Sequence, residues 1–277
     1  MMDGALKTRF REIAASEFQF PEDVEPTAFV LQALPLLGVT EGELRERCVY
    51  GALHRWIVGD VLDDEGLRAV HDALLREDIL FAGIGESNTD SVFLRAFAVL
   101  LLAPLLYVHR ERPFLSKQQL IACSSALTRL LEEERDLRGY ISDEVWWGHV
   151  IAHAADAIGQ LVRCPELGKE DLDALLDAIA VAMTPDQGVF IFEEDARMAA
   201  AIVHLLSREL LDEAAWSAWL VKIVPEHRWT GKLPQVHHRY LNARNFLRCL
   251  LFQSAEAKLP KWVLDAVQKA HDDLPQR

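Results

Sequence analysis

Two histidines and an aspartate stand close together in the stretch WWGHVIAHAAD at residues 146–156. His149 and His153 are four residues apart, and Asp156 follows three residues later. On a helix, each residue advances by about 100°, so these three side chains would share a narrow face with Trp146. Two imidazoles and a carboxylate on one face can bind a divalent cation, or an imidazole can act as general acid and base.

Three interpretations of this stretch stay open: a metal site, a site for a ligand without metal, and a hydrogen-bonded polar seam between packed helices. A zinc-protease helix would carry Glu directly after the first histidine, where this sequence has Val150. A binuclear phosphohydrolase would favour an adjacent His-Asp pair, whereas His153 is followed by Ala154. We predict no cofactor, and a divalent cation at His149, His153 and Asp156 is the alternative.

Other charged residues stand at a predicted helix start or inside an apolar run. Glu194 and Asp195 open a predicted helix, where the helix dipole favours negative charge. One of these carboxylates could instead reach towards the histidines. Arg95 lies inside a strongly apolar run, so it must pair with an acid such as Asp90 or Glu86, or else face a groove.

Arg244 and Arg248 are spaced i, i+4 in the stretch NARNFLRCLLF. Two guanidiniums on one helical face could bind a carboxylate or a phosphate. They could equally pair with acids of a neighbouring helix. In a chain with a formal net charge of −14, we expect the acids to be their partners.

The composition of the 277 residues narrows the class of protein. Because a chain of net charge −14 repels nucleic-acid phosphates and anionic membrane surfaces, we predict no nucleic-acid partner and no membrane. The longest apolar run, at residues 96–108, contains Pro104 and is too short to span a bilayer, so we predict a buried helix. No CxxC pair occurs, which favours a reducing cytoplasm; the four cysteines are Cys48, Cys123, Cys164 and Cys249.

In nearly every segment, the apolar residues recur every three or four positions, which is the period of an α-helix. Helix starts are predicted at SKQQ (Ser116), at ISDE (Ser142) and at TPDQ (Thr184). No stretch alternates convincingly like a strand, and GVFIF at residues 188–192 is expected to lead into a helix near Glu193. We predict an all-α protein of about 11–12 helices: an α/α superhelix of stacked antiparallel helical hairpins of the HEAT-like type, in a single domain over residues 1–277.

Several stretches, in this order, resemble the uncharacterised bacterial family catalogued as domain of unknown function 2785: GIGESNTDSVFLRAF, EERDLRGY, WWGHVIAHAADAIGQLV, FEEDARMAAAIVHLL and ARNFLRCLLF. The resemblance covers about Leu44 to Phe252. It implies an all-helical, bacterial, cytoplasmic protein, and it brings no established activity. The residues that match its polar motifs are Glu86, Asp90, Arg95, Arg138, Tyr140, Trp147, His149, His153, Asp156, Glu194, Asp195, Arg197 and Arg248.

Our leading hypothesis is a binding or scaffold module with a polar concave groove, whose partner is a protein, a peptide or a small polar ligand. The alternative is a metal-assisted hydrolase or lyase that uses His149, His153 and Asp156, so whether the protein is an enzyme stays open. The predicted ligand-binding residues are Trp147, His149, His153, Asp156, Glu194, Asp195, Arg197, Arg95, Arg248 and Tyr140.

Overall fold

A computed structural model describes residues 2–224 and 231–275 of the chain. Most of the described chain is helical, which confirms the all-α prediction. The elements are α1 (Met2–Ala15), α2 (Pro26–Ala33), a 3-10 helix (Leu34–Gly38), a π-helix (Glu43–Tyr50), α3 (Gly51–Val58), α4 (Asp64–Leu74), α5 (Ser91–Glu111), α6 (Lys117–Glu133), β1 (Tyr140–Ser142), β2 (Trp146–Trp147), α7 (Val150–Leu161), α8 (Lys169–Ala182), α9 (Glu194–Leu206), α10 (Glu213–Ile223), α11 (Gln235–Glu256) and α12 (Lys261–Asp272).

The contacts that residues make in space divide the chain into two compact units. The first unit comprises Met1–Leu120 and Glu133–Ala157, and the second comprises Ile121–Glu132 and Ile158–Arg277. The single domain expected over residues 1–277 stays a prediction.

Helix α5 supplies much of the core of the first unit. By length and composition it is the one described helix that could cross a membrane, but 72% of its apolar window is buried within the protein. The buried helix predicted for residues 96–108 is therefore confirmed. The expectation that this segment is too short to span a bilayer was wrong, because the helix extends beyond the apolar run to 21 residues.

A cluster of aromatic side chains also lies in the first unit. The rings of Phe10 and Phe29 are stacked with centroids 5.6 Å apart, and Phe20 meets Trp56 edge-on at 4.9 Å. The indole N–H of Trp56 donates to the carbonyl of Phe18 at 2.8 Å, so this fully buried tryptophan has its polar atom satisfied.

In the second unit, α9 and α11 pack side by side and tryptophans fill the space beside them. Trp216 and Trp219 stack at 5.1 Å, and Trp219 meets Phe246 at 6.4 Å. The indole N–H of Trp219 donates to the carbonyl of Leu176 at 2.7 Å, which ties α10 to α8.

One of the three predicted helix starts is confirmed. The Ser116 hydroxyl accepts from the backbone of Gln119, whose side chain accepts from the backbone of Ser116, in a reciprocal capping box before α6. The start at Ser142 was wrong, because its hydroxyl accepts from Glu144 within a hairpin turn. The start at Thr184 was also wrong: residues 184–193 form no helix, and α9 begins at Glu194.

Candidate functional site

A hairpin, and not a helix, carries the two adjacent tryptophans. Strands β1 and β2 pair antiparallel, with Tyr140 opposite Trp147. Helix α7 begins only at Val150, so the predicted helical face containing Trp146 and His149 was wrong. Trp146 and His149 have φ angles of 58° and 64°, a left-handed conformation that a right-handed helix excludes.

Backbone contacts hold His149 at the entrance to α7. Its N–H donates to the carbonyl of Arg138 at 2.7 Å, and the N–H of Gly148 donates to the carbonyl of Gly139 at 2.9 Å. A Cβ on Gly148 would lie 2.9 Å from that same Arg138 oxygen, which is closer than side chains normally come to backbone. The glycine before His149 therefore permits the close approach of these two segments.

The histidines belong to a series of aromatic rings in contact within the first unit. Trp147 stacks on His149 with centroids 4.8 Å apart, and His149 meets His153 edge-on at 5.5 Å. Neighbouring rings along the whole series lie 4.8–5.9 Å apart. We call it the ring series: Tyr140, Trp147, His149, His153, Phe97 and Tyr50.

The two imidazoles are the buried middle of the ring series, between the exposed Tyr140 and the partly buried Tyr50. Tyr140 is 39% exposed and Trp147 is half-buried, whereas His149 and His153 are only 4% and 6% exposed. A ligand in solution would therefore meet Tyr140 and Trp147 first, and the imidazoles lie behind them.

Arg45 in the π-helix fastens the hairpin to the rest of the first unit. Its buried guanidinium donates to the carbonyls of Val39 at 2.7 Å and Trp147 at 3.3 Å, and also to the carbonyl of Val145. It lies 4.1 Å from the ring centroid of Phe93, a cation–π contact. Among the described residues its Nε has no hydrogen-bond partner. Arg45 thus joins the backbone on both sides of the site.

Glu46, next to it, is a partly buried acid that interacts electrostatically with His149. Its carboxylate accepts from the Trp147 N–H at 3.1 Å and from Arg45 at 2.9 Å. Burial raises the pKa of the Glu46 carboxyl, and the Trp147 hydrogen bond and the charges of Arg45 and His149 offset only part of that effect. A carboxyl with a raised pKa beside an imidazole is an arrangement suited to proton exchange.

His153 donates a hydrogen bond to the backbone of α5. Its Nδ1 lies 3.0 Å from the carbonyl oxygen of Ala96, which can only accept, so Nδ1 carries a proton. Asp156 lies one turn further along α7 and is half-buried. Burial, followed by the charge of Asp156, raises the pKa of Tyr50 to about 12. Tyr50 therefore stays a neutral hydroxyl at the other end of the ring series, where it is half-buried.

Arg95 belongs to a buried network instead of a groove. Its guanidinium forms two hydrogen bonds with Glu134, at 2.7 Å and 3.0 Å, and both side chains are fully buried. The predicted partners Asp90 and Glu86 were wrong. Arg95 also donates to the carbonyls of Ala82 and Gly83 at 2.7 Å and 3.0 Å, so it anchors the glycine-containing loop.

The same network continues to Arg138, whose backbone carbonyl accepts the hydrogen bond from His149. Asp136 accepts from the backbone of Asn88 at 2.8 Å and from the Arg138 guanidinium. Arg138 in turn donates to the carbonyl of Thr89 at 2.6 Å. Because the Arg138 carbonyl accepts from His149, this network positions the backbone of the site.

The remaining predicted site residues lie in the second unit. Glu194 is buried at the start of α9, where its carboxylate accepts from the backbone of Phe192 at 2.9 Å. Asp195 follows it, and burial raises the pKa of the Asp195 carboxyl. Arg197 is half-buried one turn along α9, and Arg248 is exposed on α11, where its Nε donates to Nε2 of His271 at 3.2 Å.

Sequence reasoning missed Arg45, Glu46 and Tyr50. A signal was present for Arg45, since it stands between apolar residues at helical spacing, as Arg95 does. No comparable signal marks Glu46 or Tyr50. Glu46 reaches the site through Trp147 of the hairpin, about one hundred residues away in the chain, and Tyr50 reaches it through Phe97 on α5.

Fold and site together define an all-helical protein in which a hairpin and a π-helix enclose a pair of histidines. The chain belongs to the family described as "Protein of unknown function (DUF2785)", whose match covers residues 80–252, more than half of the chain. The resemblance noted in the sequence is thereby confirmed over this range, and its extension back to Leu44 stays a prediction. No curated protein and no solved structure matches the chain. Arg45, Glu46 and Tyr50 lie outside the matched range.

Proposed function

We propose that the protein is a binding module of the cytoplasm, built of stacked helical hairpins of the HEAT-like type. Its first unit would bind a peptide through the ring series, with Trp147 and Tyr140 as the first contacts and His149, His153 and Asp156 behind them. Half-exposed aromatic side chains on a fixed scaffold are typical anchors of binding interfaces. The anchoring of the hairpin by Arg45 supplies such a scaffold.

The observation that carries this proposal is the combination of accessible rings with acids. Asp143 and Glu144 are exposed in the hairpin turn, and the Glu46 side chain is 17% exposed beside Trp147. The hydrogen bond to Asp143, followed by desolvation and then by the charges of Asp143, Glu144 and Glu46, raises the pKa of Tyr140. Aromatic faces with carboxylates around them suit a cationic group.

We therefore assign the ligand as a peptide that presents a guanidinium or an ammonium group. Arginine over an indole or phenol ring gains cation–π attraction, and a nearby carboxylate adds a charge-assisted hydrogen bond. The formal net charge of −14 would steer a basic peptide towards the protein, although that attraction alone is not specific.

Calorimetric titration with the capped peptide Gly-Arg-Gly-Arg-Gly tests the proposal, with Gly-Gln-Gly-Gln-Gly as the comparison peptide. We expect binding of the arginine peptide only. Tyr140→Ala should weaken it by about fivefold or more, which corresponds to roughly 1 kcal/mol for one cation–π contact.

Tyr107→Ala is the matched control, because Tyr107 is 47% exposed on α5 in the same unit and the substitution leaves the net charge unchanged. This control should bind as the wild type does. If both variants bind equally well, general charge attraction explains the binding and the ring series is not the site.

A metal-assisted hydrolase or lyase is the second candidate. The orientation of His153 favours it: metal-binding histidines usually donate one ring N–H to a carbonyl or carboxylate, as His153 does to Ala96. Here His149, His153 and Asp156 would hold a divalent cation. Elemental mass spectrometry of untagged protein tests this candidate beside a His149→Ala/His153→Ala variant. Near-stoichiometric metal that disappears in the folded variant would support it, and metal-free wild type would exclude it.

A further inference from the structure

A cleft with a volume of about 270 Å³ lies in the second unit between α11 and the end of α12. Helix α11 contributes two arginines to it, one turn apart, and α12 contributes a histidine and an aspartate. The residues that line the cleft are Tyr240, Arg244, Arg248, His271, Asp272, Leu274 and Pro275.

The two arginines of the cleft form no ion pair with a carboxylate of the described chain. Arg244 donates only to the side-chain oxygen of Asn245, at 3.2 Å and 3.4 Å, and Arg248 donates only to His271. The expectation that acids of a neighbouring helix would pair with them was wrong. In a protein with 43 acidic and 29 basic residues, two neighbouring guanidiniums without an acid are unusual.

Both guanidiniums are partly held in place. Arg244 lies 5.6 Å from the ring centroid of Tyr240, and that ring is itself stacked on His237 at 5.9 Å. The Nε of Arg248 donates to Nε2 of His271 at 3.2 Å. Such contacts reduce the side-chain entropy that a ligand would otherwise remove on binding.

Many donors of the cleft remain available. A guanidinium has five N–H groups, and the contact with His271 uses one of those on Arg248. Because His271 accepts at Nε2, its Nδ1 carries the proton, 3.5 Å from a carboxylate oxygen of Asp272. Asp272 is the one acid that lines the cleft, so the lining carries an excess of positive charge.

We propose that this cleft binds the oxyanion group of a small molecule, a phosphate or a carboxylate. Each guanidinium can donate two parallel, charge-assisted hydrogen bonds to such a group, and these are stronger than hydrogen bonds between neutral groups. A volume of about 270 Å³ suits a molecule of a few carbon atoms and not a nucleotide. The proposal is independent of the peptide site, since it uses other residues and the opposite charge.

Calorimetric titrations of the full chain with inorganic phosphate and with acetate, at low ionic strength, test the proposal. We expect one of these anions to bind. Arg244→Gln and Arg248→Gln should each weaken that binding by about tenfold, because each removes a charged donor pair. The anion that binds more tightly identifies the chemical group.

Arg239→Gln is the matched control, since Arg239 lies on the same helix and pairs with Asp186 at 2.8 Å. It removes the same charge from α11 and should leave the affinity within about twofold of the wild type. Asp272→Asn should tighten binding, because it removes the negative charge of the lining. Absence of binding by the wild type, or an equal loss in all three arginine variants, would overturn the proposal.

Discussion

Substitution of Glu134 should destabilise the first unit strongly. In Glu134→Ala, the Arg95 guanidinium stays in place without the acid that accepts two of its hydrogen bonds. Breaking a fully buried ion pair in this way typically costs about 3–5 kcal/mol. The backbone N–H of Asp136, which donates to Glu134 at 2.8 Å, also loses its acceptor. We expect a loss of at least 3 kcal/mol or so in the free energy of unfolding.

Urea unfolding followed by circular dichroism measures this loss. Asp78→Ala is the comparison variant, because Asp78 pairs with Arg76 at 2.7 Å with both side chains 63% exposed, and its loss should be about 0.2–1 kcal/mol. Replacing both partners, in Arg95→Met/Glu134→Leu, should recover only the part of the loss that comes from the unpaired guanidinium, because the Asp136 N–H and the carbonyls of Ala82 and Gly83 still lose these partners. A loss below about 1 kcal/mol in Glu134→Ala would refute a buried, tightly bonded network.

Three further predictions concern the site and the second unit. Gly42→Ala should cost about 1–3 kcal/mol of the free energy of unfolding, because a Cβ there would overlap the Trp146 ring. Gly4→Ala, with open space around it in α1, should be neutral or stabilising, and equal effects of the two substitutions in urea unfolding would contradict this. Burial raises the pKa of Glu46, so the folded state binds the proton of this carboxyl more tightly than the unfolded state does. The free energy of unfolding of the wild type, relative to that of Glu46→Gln, should therefore fall as the pH rises from about 4 to 8, and an increase with pH would show that the pKa is lowered instead. Burial also raises the pKa of Cys249 to about 11, so the rate of its alkylation by iodoacetamide should increase about tenfold per pH unit from pH 8 to pH 10. A rate that reaches a plateau below pH 9 would contradict the raised pKa.

Hydrophobic periodicity predicted the helices well because most of them bury one apolar face. Helix α4 shows this, with Leu67, Val70 and Leu74 fully buried at helical spacing. The capping signals were less reliable. Serine is a common N-cap residue, but the hydroxyl of Ser142 accepts a hydrogen bond from the backbone N–H of Glu144 in a hairpin turn. A serine hydroxyl can accept from the backbone in a turn as well as at a helix start, so the residue type alone does not distinguish the two.

The hairpin at Tyr140–Trp147 could not be predicted from local pattern. Its two strands are three and two residues long, too short for any alternation to be visible. What keeps Trp146 and Trp147 out of α7 is tertiary: Gly42 donates to the backbone of Glu144, and Arg45 donates to the carbonyl of Trp147. These contacts join segments about one hundred residues apart, beyond the reach of a sequence window.

His149 and His153 were predicted to lie on one face of a helix. Their rings are in contact, but the left-handed backbone of His149 places it before the helix and not on it. Arg95 was expected to need an acid, and it has one in Glu134. Its position inside an apolar run required a partner, but nothing local could say which acid the fold would supply.

The most direct test of the binding proposal follows the histidine ring signals by NMR in protein labelled with ¹³C-histidine. The Gly-Arg-Gly-Arg-Gly peptide is added, and the signals are assigned with His149→Ala and His153→Ala variants. If the ring series is the site, the His149 signal should shift with the peptide concentration, while that of His71, buried on α4, should not. Binding that leaves His149 and His153 unmoved would contradict the proposal and mark the two histidines as a structural contact between α7 and its neighbours.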